Sequence, residues 1–141
     1  MSQLIEFSMH NPVLVAAFFA VLGLLLFTEL SRLISGVKDI GTTEATHLIN
    51  REDALLLDVR EDKEIADGKI INAKHVPLSH LQTRLAEMDQ YKEKPVIVYC
   101  RSGNRSSQAC KILKKAGFSQ SFNLSGGYSA WISANLPVTK S

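Results

Sequence analysis

The sequence predicts an α/β fold, a parallel sheet of about five short strands that is flanked by helices and preceded by one transmembrane helix. Two observations predict it. Short apolar runs alternate with helical patterns over most of the chain, and strands separated by helices form parallel sheets that are buried on both faces. The first 35 residues, in contrast, contain 22 hydrophobic residues and only three charges. The chain of 141 residues is therefore expected to comprise an N-terminal segment, 1–35, and a globular domain, 36–141.

Five segments of the globular domain are predicted to be strands. Residues 54–59 and 95–100 are nearly continuous apolar runs, as in strands that are covered on both faces. Residues 73–76 and 120–124 are weaker candidates, and 37–40 can form a further short strand. Together these segments account for the predicted sheet.

Four helical patterns accompany these strands. The first is expected to be capped by Thr42 or Thr43, and the second opens with a capping-box pattern at Ser79 and continues through position 88. Ser106 is expected to open the third, whose apolar residues recur at helical spacing. A last helix is expected near 128–134.

The N-terminal segment carries a long run without charged residues that is apolar over most of its length. It extends from Phe7 to Thr28, and a helix of 22 residues spans about 33 Å, slightly more than the hydrocarbon core of a bilayer. Pro12 occupies a position where a helix can start, so the transmembrane helix is expected at about 12–28. No basic residue precedes the run and no clear cleavage site follows it, which favours an anchor over a cleavable signal peptide. A core helix is the third interpretation, but core helices are seldom this apolar on every face.

The charges that flank this run indicate its orientation. Arg32 and Lys38 follow it and no basic residue precedes it, so the positive-inside bias places the globular domain in the cytoplasm. Two cysteines in the chain fit a reducing compartment. We therefore expect a single-pass protein of a bacterial inner membrane whose globular domain faces the cytoplasm.

Charge is distributed unevenly along the globular domain. Residues 36–89 carry a net charge of −4 and residues 90–141 a net charge of +7. The basic part suggests an anionic substrate or partner, although lysines on a solvated helix face account for some of it. Nucleic acid is not expected as a partner, because the basic residues are not interleaved with aromatic ones. The four histidines lack metal-ligand spacing, so neither a metal nor a cofactor is predicted.

The most specific chemical pattern follows the strand that ends at Cys100. A short loop leads from this cysteine to the helix at Ser106, and such a loop points several backbone N–H groups into one anion-binding concavity. Gly103 permits the positive φ that the turn needs. Arg101 and Arg105 add donors for an oxyanion, although either can instead pair with a carboxylate. The pattern predicts a reactive thiolate rather than the more common small buried cysteine.

Three motifs in this order resemble the rhodanese (sulfurtransferase) family. The sequence CRSGNRS at 100–106 resembles the active loop, with Cys100 in the position of the persulfide-forming cysteine. LLLDVRE at 55–61 begins a segment that is similar to the N-terminal signature, and residues 124–131 are similar to the C-terminal one. The chain departs from the first signature at Ile65, Lys69 and Asn72, where the family usually has an aromatic residue, His and Gly.

The resemblance implies a rhodanese-like fold and sulfur transfer through a persulfide on Cys100. The expected partners are a small anionic sulfur donor, such as thiosulfate, and a thiol or cyanide acceptor. Donor binding is expected of the loop residues Arg101, Ser102, Gly103, Asn104, Arg105 and Ser106. Asp58, Arg60 and Glu64 are expected to support the structure of the site by orienting its loops, with Glu64 as an ion-pair partner.

Two other functions stay open at this stage. The domain can be a membrane-tethered docking module, although the intact cysteine loop argues for chemistry. A phosphatase of related fold places five residues between its cysteine and arginine, whereas four separate Cys100 from Arg105. Cys110 is expected to pack in the core, with a role as resolving thiol as the alternative.

Overall fold

The computed structural model describes residues 1–140, of which residues 32–35 are described by their backbone alone. The chain divides into two units, Met1–Gly36 and Val37–Ser141. The N-terminal unit holds two helices, α1 at Ser2–His10 and α2 at Pro12–Ser35. Pro12 is the first residue of α2, where its missing N–H leaves no helical hydrogen bond unmade. Gly36 ends α2 with a φ of 63°, a left-handed conformation that glycine adopts without strain.

One segment of α2, Pro12–Ser31, has the length and composition of a membrane-spanning helix. Its 20 residues have a mean hydropathy of 2.5, and none of the segment is buried within the protein. A core helix, in contrast, covers its apolar side chains. Helices of this kind near an N-terminus occur in membrane anchors and in signal sequences alike. The side chain of Arg32, on which the expected orientation partly rests, lies outside the described residues.

The C-terminal unit is an α/β structure around a five-stranded sheet. Its elements, in chain order, are β1 (Lys38–Ile40), α3 (Thr42–Glu52), β2 (Leu55–Asp58), α4 (Asp62–Ile65), β3 (Lys69–Ile70), β4 (Lys74–His75), α5 (Leu78–Leu81), a 3-10 helix (Leu85–Tyr91), β5 (Pro95–Tyr99), α6 (Asn104–Lys115), β6 (Gln120–Leu124), α7 (Gly127–Ser133) and β7 (Val138–Thr139). The sheet order is β1-β6-β5-β2-β4, and every neighbouring pair is parallel. The predicted fold class is confirmed, and all five strands of this sheet lie at predicted positions.

The two central strands explain why their sequences are so apolar. Every residue of β2 and of β5 is buried, because helices cover both faces of the sheet. Successive residues of β5 alternate between two core clusters: Val96 and Val98 lie in one, and Ile97 and Tyr99 lie in the other. This alternation follows from the period of two in a strand, so β5 joins the two halves of the core.

The starts of three helices differ from those predicted. The N-cap of α3 is Gly41 rather than a threonine, and α6 begins at Asn104, two residues before Ser106. Ser79 lies inside the short helix α5, and the expected continuation is a separate 3-10 helix. Its hydroxyl bonds the carboxylate of Glu61 at 3.2 Å instead of capping a helix.

Four further elements were not predicted from the sequence. α1 and α4 are both helices of fewer than ten residues, and β3 and β7 form a separate antiparallel pair. The pair adjoins the main sheet through Tyr99, whose hydroxyl accepts a hydrogen bond from the N–H of Ile70 at 3.1 Å. Asn72, where the family usually has glycine, has a φ of 62°, so this position does require a left-handed turn.

Candidate active site

The candidate site lies where two central strands end. β2 and β5 run parallel with Asp58 opposite Tyr99, so the residues that follow both strands leave the sheet at the same edge. Ligands of parallel α/β proteins bind at this carboxyl edge. Cys100 follows β5 directly, and its side chain is only 1% exposed.

The loop after β5 surrounds the sulfur of Cys100 with hydrogen-bond donors. The N–H of Gly103 donates to Sγ at 3.1 Å, and the hydroxyl oxygen of Ser106 lies 3.4 Å from Sγ. Burial raises the pKa of Cys100, but the Ser106 hydroxyl and the N–H groups of Ser106, Gly103 and Ser102 outweigh burial. The pKa of Cys100 is therefore lowered from its ordinary value, and the loop stabilises negative charge on the sulfur.

Gly103 shapes this loop. It is the N-cap of α6 and has a φ of 115°, the positive value that the sequence predicts for the turn. A residue with a side chain would be strained in this conformation. Because α6 is a helix of 12 residues that begins just after Gly103, its positive N-terminal end lies beside the sulfur.

Arg105 is bound to a carboxylate. Its Nη1 and Nη2 atoms donate to the two carboxylate oxygens of Glu64, both at 2.6 Å. These hydrogen bonds, opposed by burial, lower the pKa of Glu64 to about 2. Glu64 also accepts the N–H of Glu61 at 2.8 Å, which completes a capping box at the start of α4. Arg105 therefore connects the cysteine loop to α4. Pairing of a loop arginine with a carboxylate is the alternative to donor binding that the sequence left open.

Asp58 and Arg60 form a second, fully buried ion pair. Nε and Nη2 of Arg60 contact the Asp58 carboxylate at 2.8–3.1 Å, and Nη2 also donates to the carbonyl oxygen of Gly68 at 2.8 Å. The guanidinium lies 4.1 Å from the ring centroid of Tyr128, a cation–π distance. Pairing with Glu64 was expected, but Arg60 pairs with Asp58, and Glu64 pairs with Arg105.

The first turn of α7 supports the cysteine loop from behind. The N–H of Tyr128 donates to the carbonyl oxygen of Cys100 at 2.8 Å, and the N–H of Ser129 donates to that of Arg101 at 3.2 Å. A Cβ atom on Gly127 would overlap both of these carbonyl oxygens. Glycine is therefore required at 127 for the start of α7 to approach the cysteine loop so closely.

A cleft of about 390 Å³ opens beside the loop, and Arg101, Lys63, Tyr128 and Ile132 contribute to its lining. The guanidinium of Arg101 makes no hydrogen bond to any described residue, unlike those of Arg105 and Arg60. Ser102 and Asn104 are also exposed. Of the two loop arginines, Arg101 is the one available to an anion in the cleft.

Cys110 has an environment that opposes ionisation. It is a fully buried free thiol on α6, and burial together with the Asp39 carboxylate raises its pKa to about 12. Within the part of the chain that the structure describes, no group of three or more His, Cys, Asp or Glu side chains is placed to hold a metal ion.

Sequence reasoning did not find Asn123 as a residue of this site. Its amide oxygen accepts a 2.5 Å hydrogen bond from the Ser106 hydroxyl, although the two residues lie 17 positions apart. The available signal was its place on a predicted strand, directly before the motif that resembles the C-terminal signature.

Substituting Gly127 tests the close approach of the start of α7 to the cysteine loop. We expect Gly127→Ser to lower the melting temperature and to change the alkylation rate of Cys100, because the new Cβ displaces the loop carbonyls. Gly41→Ser is the matched control: its Cβ meets nothing within 4 Å, and serine is a favoured N-cap residue. Equal effects of the two substitutions would contradict the interpretation.

Replacing Glu64 tests the ion pair with Arg105. At pH 7 we expect Glu64→Gln to reduce the free energy of unfolding by about 1.5–3 kcal/mol, the range for hydrogen bonds to charged groups. Because the pKa of Glu64 falls from 4.5 to about 2 on folding, this stabilisation is complete above about pH 4.5 and is lost as pH falls towards 2. Denaturant titrations of the full chain across this range measure it.

A control for Glu64→Gln is available in an exposed pair. Glu87 bonds Arg84 with similar geometry at 2.9 Å, but both side chains are largely in solvent. Glu87→Gln is therefore expected to have much less effect. A stability difference between wild type and Glu64→Gln that stays constant from pH 2 to pH 6 would overturn the assignment.

Comparison with known proteins gives several relatives of this chain, two of which are sulfurtransferases by name. The Escherichia coli (strain K12) protein YibN, itself uncharacterized, is 36% identical over 141 residues, which cover 99% of this chain and 99% of YibN. A sulfurtransferase of Allochromatium vinosum is 42% identical over 91 residues, 64% of this chain and 83% of that protein. The thiosulfate sulfurtransferase GlpE of Coxiella burnetii is 35% identical over 94 residues, 67% of this chain and 86% of that protein.

Solved structures and a family model agree with these relatives. The crystal structure of a rhodanese-related protein from Thermoplasma volcanium superposes with a TM-score of 0.66 at 29% identity, over 74% of this chain and 99% of that one. A family model described as a rhodanese-like domain matches residues 42–134, which hold both the cysteine loop and the Gly126–Gly127 segment. The chain belongs to the rhodanese family.

Proposed function

We propose that the protein is a membrane-anchored sulfurtransferase that moves a sulfane sulfur through a persulfide on Cys100. The donor is thiosulfate or a persulfide, and the acceptor is a thiol or cyanide. One observation carries the proposal: backbone N–H groups and a helix N-terminus converge on a cysteine sulfur whose pKa is lowered. The sulfurtransferases among the relatives support the same chemistry.

The first half-reaction loads the cysteine. The Cys100 thiolate attacks the outer sulfur of thiosulfate, and a new S–S bond forms between Sγ and that atom. The bond from the outer sulfur to the sulfonate sulfur breaks, and its electron pair leaves with sulfite. Arg101 attracts the anionic donor, and the loop N–H groups stabilise the charge on the terminal sulfur of the persulfide.

The second half-reaction returns the thiolate. An acceptor thiolate or cyanide attacks the terminal sulfur, the bond from Sγ to that sulfur breaks, and the electron pair stays on Sγ. The persulfide places the reacting atom about 2 Å beyond Sγ. This extension matters because the side chain of Cys100 is almost fully buried. Two displacement steps of this kind give ping-pong kinetics.

Cys100→Ser tests sulfur transfer against docking alone. Incubation of the wild-type chain with thiosulfate is expected to add about 32 Da, one sulfur atom, on Cys100 by intact mass. Cys100→Ser is expected to show neither the adduct nor transfer to cyanide, because its hydroxyl cannot form the persulfide. Transfer by the variant would refute the mechanism, and no adduct on the wild type with any sulfane donor would favour a docking module.

Cys110→Ser is the matched control for this experiment. Cys110 is the other free cysteine among the described residues, and burial keeps it protonated. The variant is expected to retain the adduct and the transfer of sulfur. Loss of the adduct in a folded Cys110→Ser variant would indicate that Cys110 takes part in the chemistry.

We propose further that α2 anchors the protein in a bacterial inner membrane with the C-terminal unit in the cytoplasm. The apolar segment is long enough to span a bilayer, and the positive-inside bias favours this orientation. The match to YibN covers 99% of both chains, so it includes this segment. A cytoplasmic site also suits a reactive thiolate, since the compartment is reducing.

Membrane fractionation tests the anchor. In a bacterial host the protein is expected to stay with carbonate-washed membranes at its full mass of 15.6 kDa. Protease should degrade the C-terminal unit in inverted vesicles and spare it in spheroplasts. Recovery of a shortened, soluble chain would show a cleaved signal sequence instead.

A pair of charge substitutions provides the control for fractionation. Leu22→Arg with Leu25→Arg is expected to release the protein from membranes, since arginine at the centre of a spanning helix is unfavourable by about 3 kcal/mol per residue. Leu4→Arg, on the separate helix α1, should leave the protein in the membrane fraction. Equal retention of both variants would contradict a spanning role for α2.

A further inference from the structure

A line of hydrogen bonds connects Cys100 to the edge strand β1. Sγ of Cys100 lies 3.4 Å from the hydroxyl of Ser106, and this hydroxyl donates to Oδ1 of Asn123 at 2.5 Å. Nδ2 of Asn123 donates to Oδ1 of Asp39 at 3.0 Å. Ser106 is fully buried and Asn123 is 7% exposed, so water does not compete for the inner bonds.

The direction of each bond in this line follows from the groups present. An ionised carboxylate only accepts hydrogen bonds, so Asp39 must face the NH₂ group of Asn123. The amide oxygen of Asn123 then faces Ser106, and the single hydroxyl proton of Ser106 points to that oxygen. While its proton points to Asn123, Ser106 presents a lone pair to the sulfur. The hydrogen bond by which the Ser106 hydroxyl lowers the pKa of Cys100 forms only when that proton turns to the sulfur.

We propose that Asn123, oriented by Asp39, is a positioning residue that competes with the Cys100 sulfur for the hydroxyl proton of Ser106. The proposal rests on the proposed function only in taking Cys100 as the nucleophile. The N–H of Gly103 is a fixed donor to the sulfur, whereas Ser106 donates to it only after its proton turns away from Asn123. The line thus sets how strongly the thiolate is stabilised.

This competition has a consequence for reactivity. A thiolate that receives fewer hydrogen bonds is more basic, and a more basic thiolate is a stronger nucleophile towards sulfur. After the persulfide forms, negative charge moves to the terminal sulfur, and Ser106 can keep its bond to Asn123. The arrangement therefore favours a thiolate that attacks the sulfur donor over one that is strongly stabilised and weakly nucleophilic.

Other charged groups around the sulfur come from different elements. Arg105 of α6 interacts electrostatically with Cys100, and it is neutralised by Glu64 of α4. Asp39 of β1 interacts with the buried Cys110 of α6. None of these groups can donate a hydroxyl proton to the sulfur in place of Ser106. The effect of a substitution that acts through Ser106 should therefore disappear when Ser106 is removed, whereas a direct charge effect should remain.

Asp39→Asn tests the proposal by reversing the line. An amide at 39 can donate as well as accept, so Asn123 can turn its NH₂ group to Ser106 and release the hydroxyl proton to the sulfur. In a Cys110→Ser background, the midpoint of the pH dependence of Cys100 alkylation by iodoacetamide is expected to fall by about one unit. A shift of this size corresponds to a roughly tenfold larger fraction of Cys100 thiolate at pH values below the midpoint.

Asp39→Asn in a Ser106→Ala background separates an effect through the hydrogen-bond line from the direct effect of removing the Asp39 charge. If Asp39 acts through Asn123 and Ser106, Asp39→Asn should move the midpoint by less than a third as much in that background. An equal shift in both backgrounds would show a direct electrostatic effect and overturn the proposal, as would no shift when Ser106 is present.

Asn123→Ala provides a second test in case Asp39→Asn is unstable. It frees the Ser106 hydroxyl and is expected to lower the midpoint in the same direction, again only when Ser106 is present. An unchanged midpoint in folded Asn123→Ala would also overturn the proposal. Alkylation does not depend on sulfur transfer, so a missing thiosulfate adduct on the wild-type chain would reject the proposed function alone.

Discussion

The structure of the site depends on one constraint, the stabilisation of negative charge on a cysteine that is almost fully buried. A buried thiol without donors would keep its proton, as Cys110 does with a pKa raised to about 12. Cys100 differs because the loop turns at Gly103 and directs N–H groups towards the sulfur. Contacts from α4, α7 and β6 hold this short loop in the shape that makes the difference.

Three separate elements hold the loop, and each contacts a different part of it. Glu64 of α4 fixes Arg105 at the helix start, and the segment at Gly127 fixes the carbonyl of Cys100. Asn123 of β6 fixes the hydroxyl of Ser106. Because these contacts come from parts of the chain that are distant in sequence, the loop is positioned by the completed fold rather than by its own sequence.

The sheet could be predicted from the sequence because a strand that is buried on both faces needs an apolar residue at nearly every position, as in β5. The cysteine loop was predicted for a similar reason, since Gly103 and the residues around it are local. The hydrogen-bond partners of the site residues were harder to predict. The hydrogen bonds of Glu64 and Asn123 span 41 and 17 positions, and Ser79 satisfied its hydroxyl through Glu61 rather than through the helix that its spacing suggested. No local pattern encodes such choices, because they are made by packing.

The positive charge of the C-terminal part has a more specific meaning in the structure than an anion-binding surface. Arg105 is neutralised by Glu64, which leaves Arg101 as the loop cation beside the cleft. Lys114 and Lys115 lie in the last turn of α6, at the end opposite the sulfur. Cations there stabilise the negative end of the helix dipole, while the positive end meets the charge on Cys100. The two ends of one helix are thus matched by opposite charges, so part of the basic sequence of residues 90–141 stabilises α6.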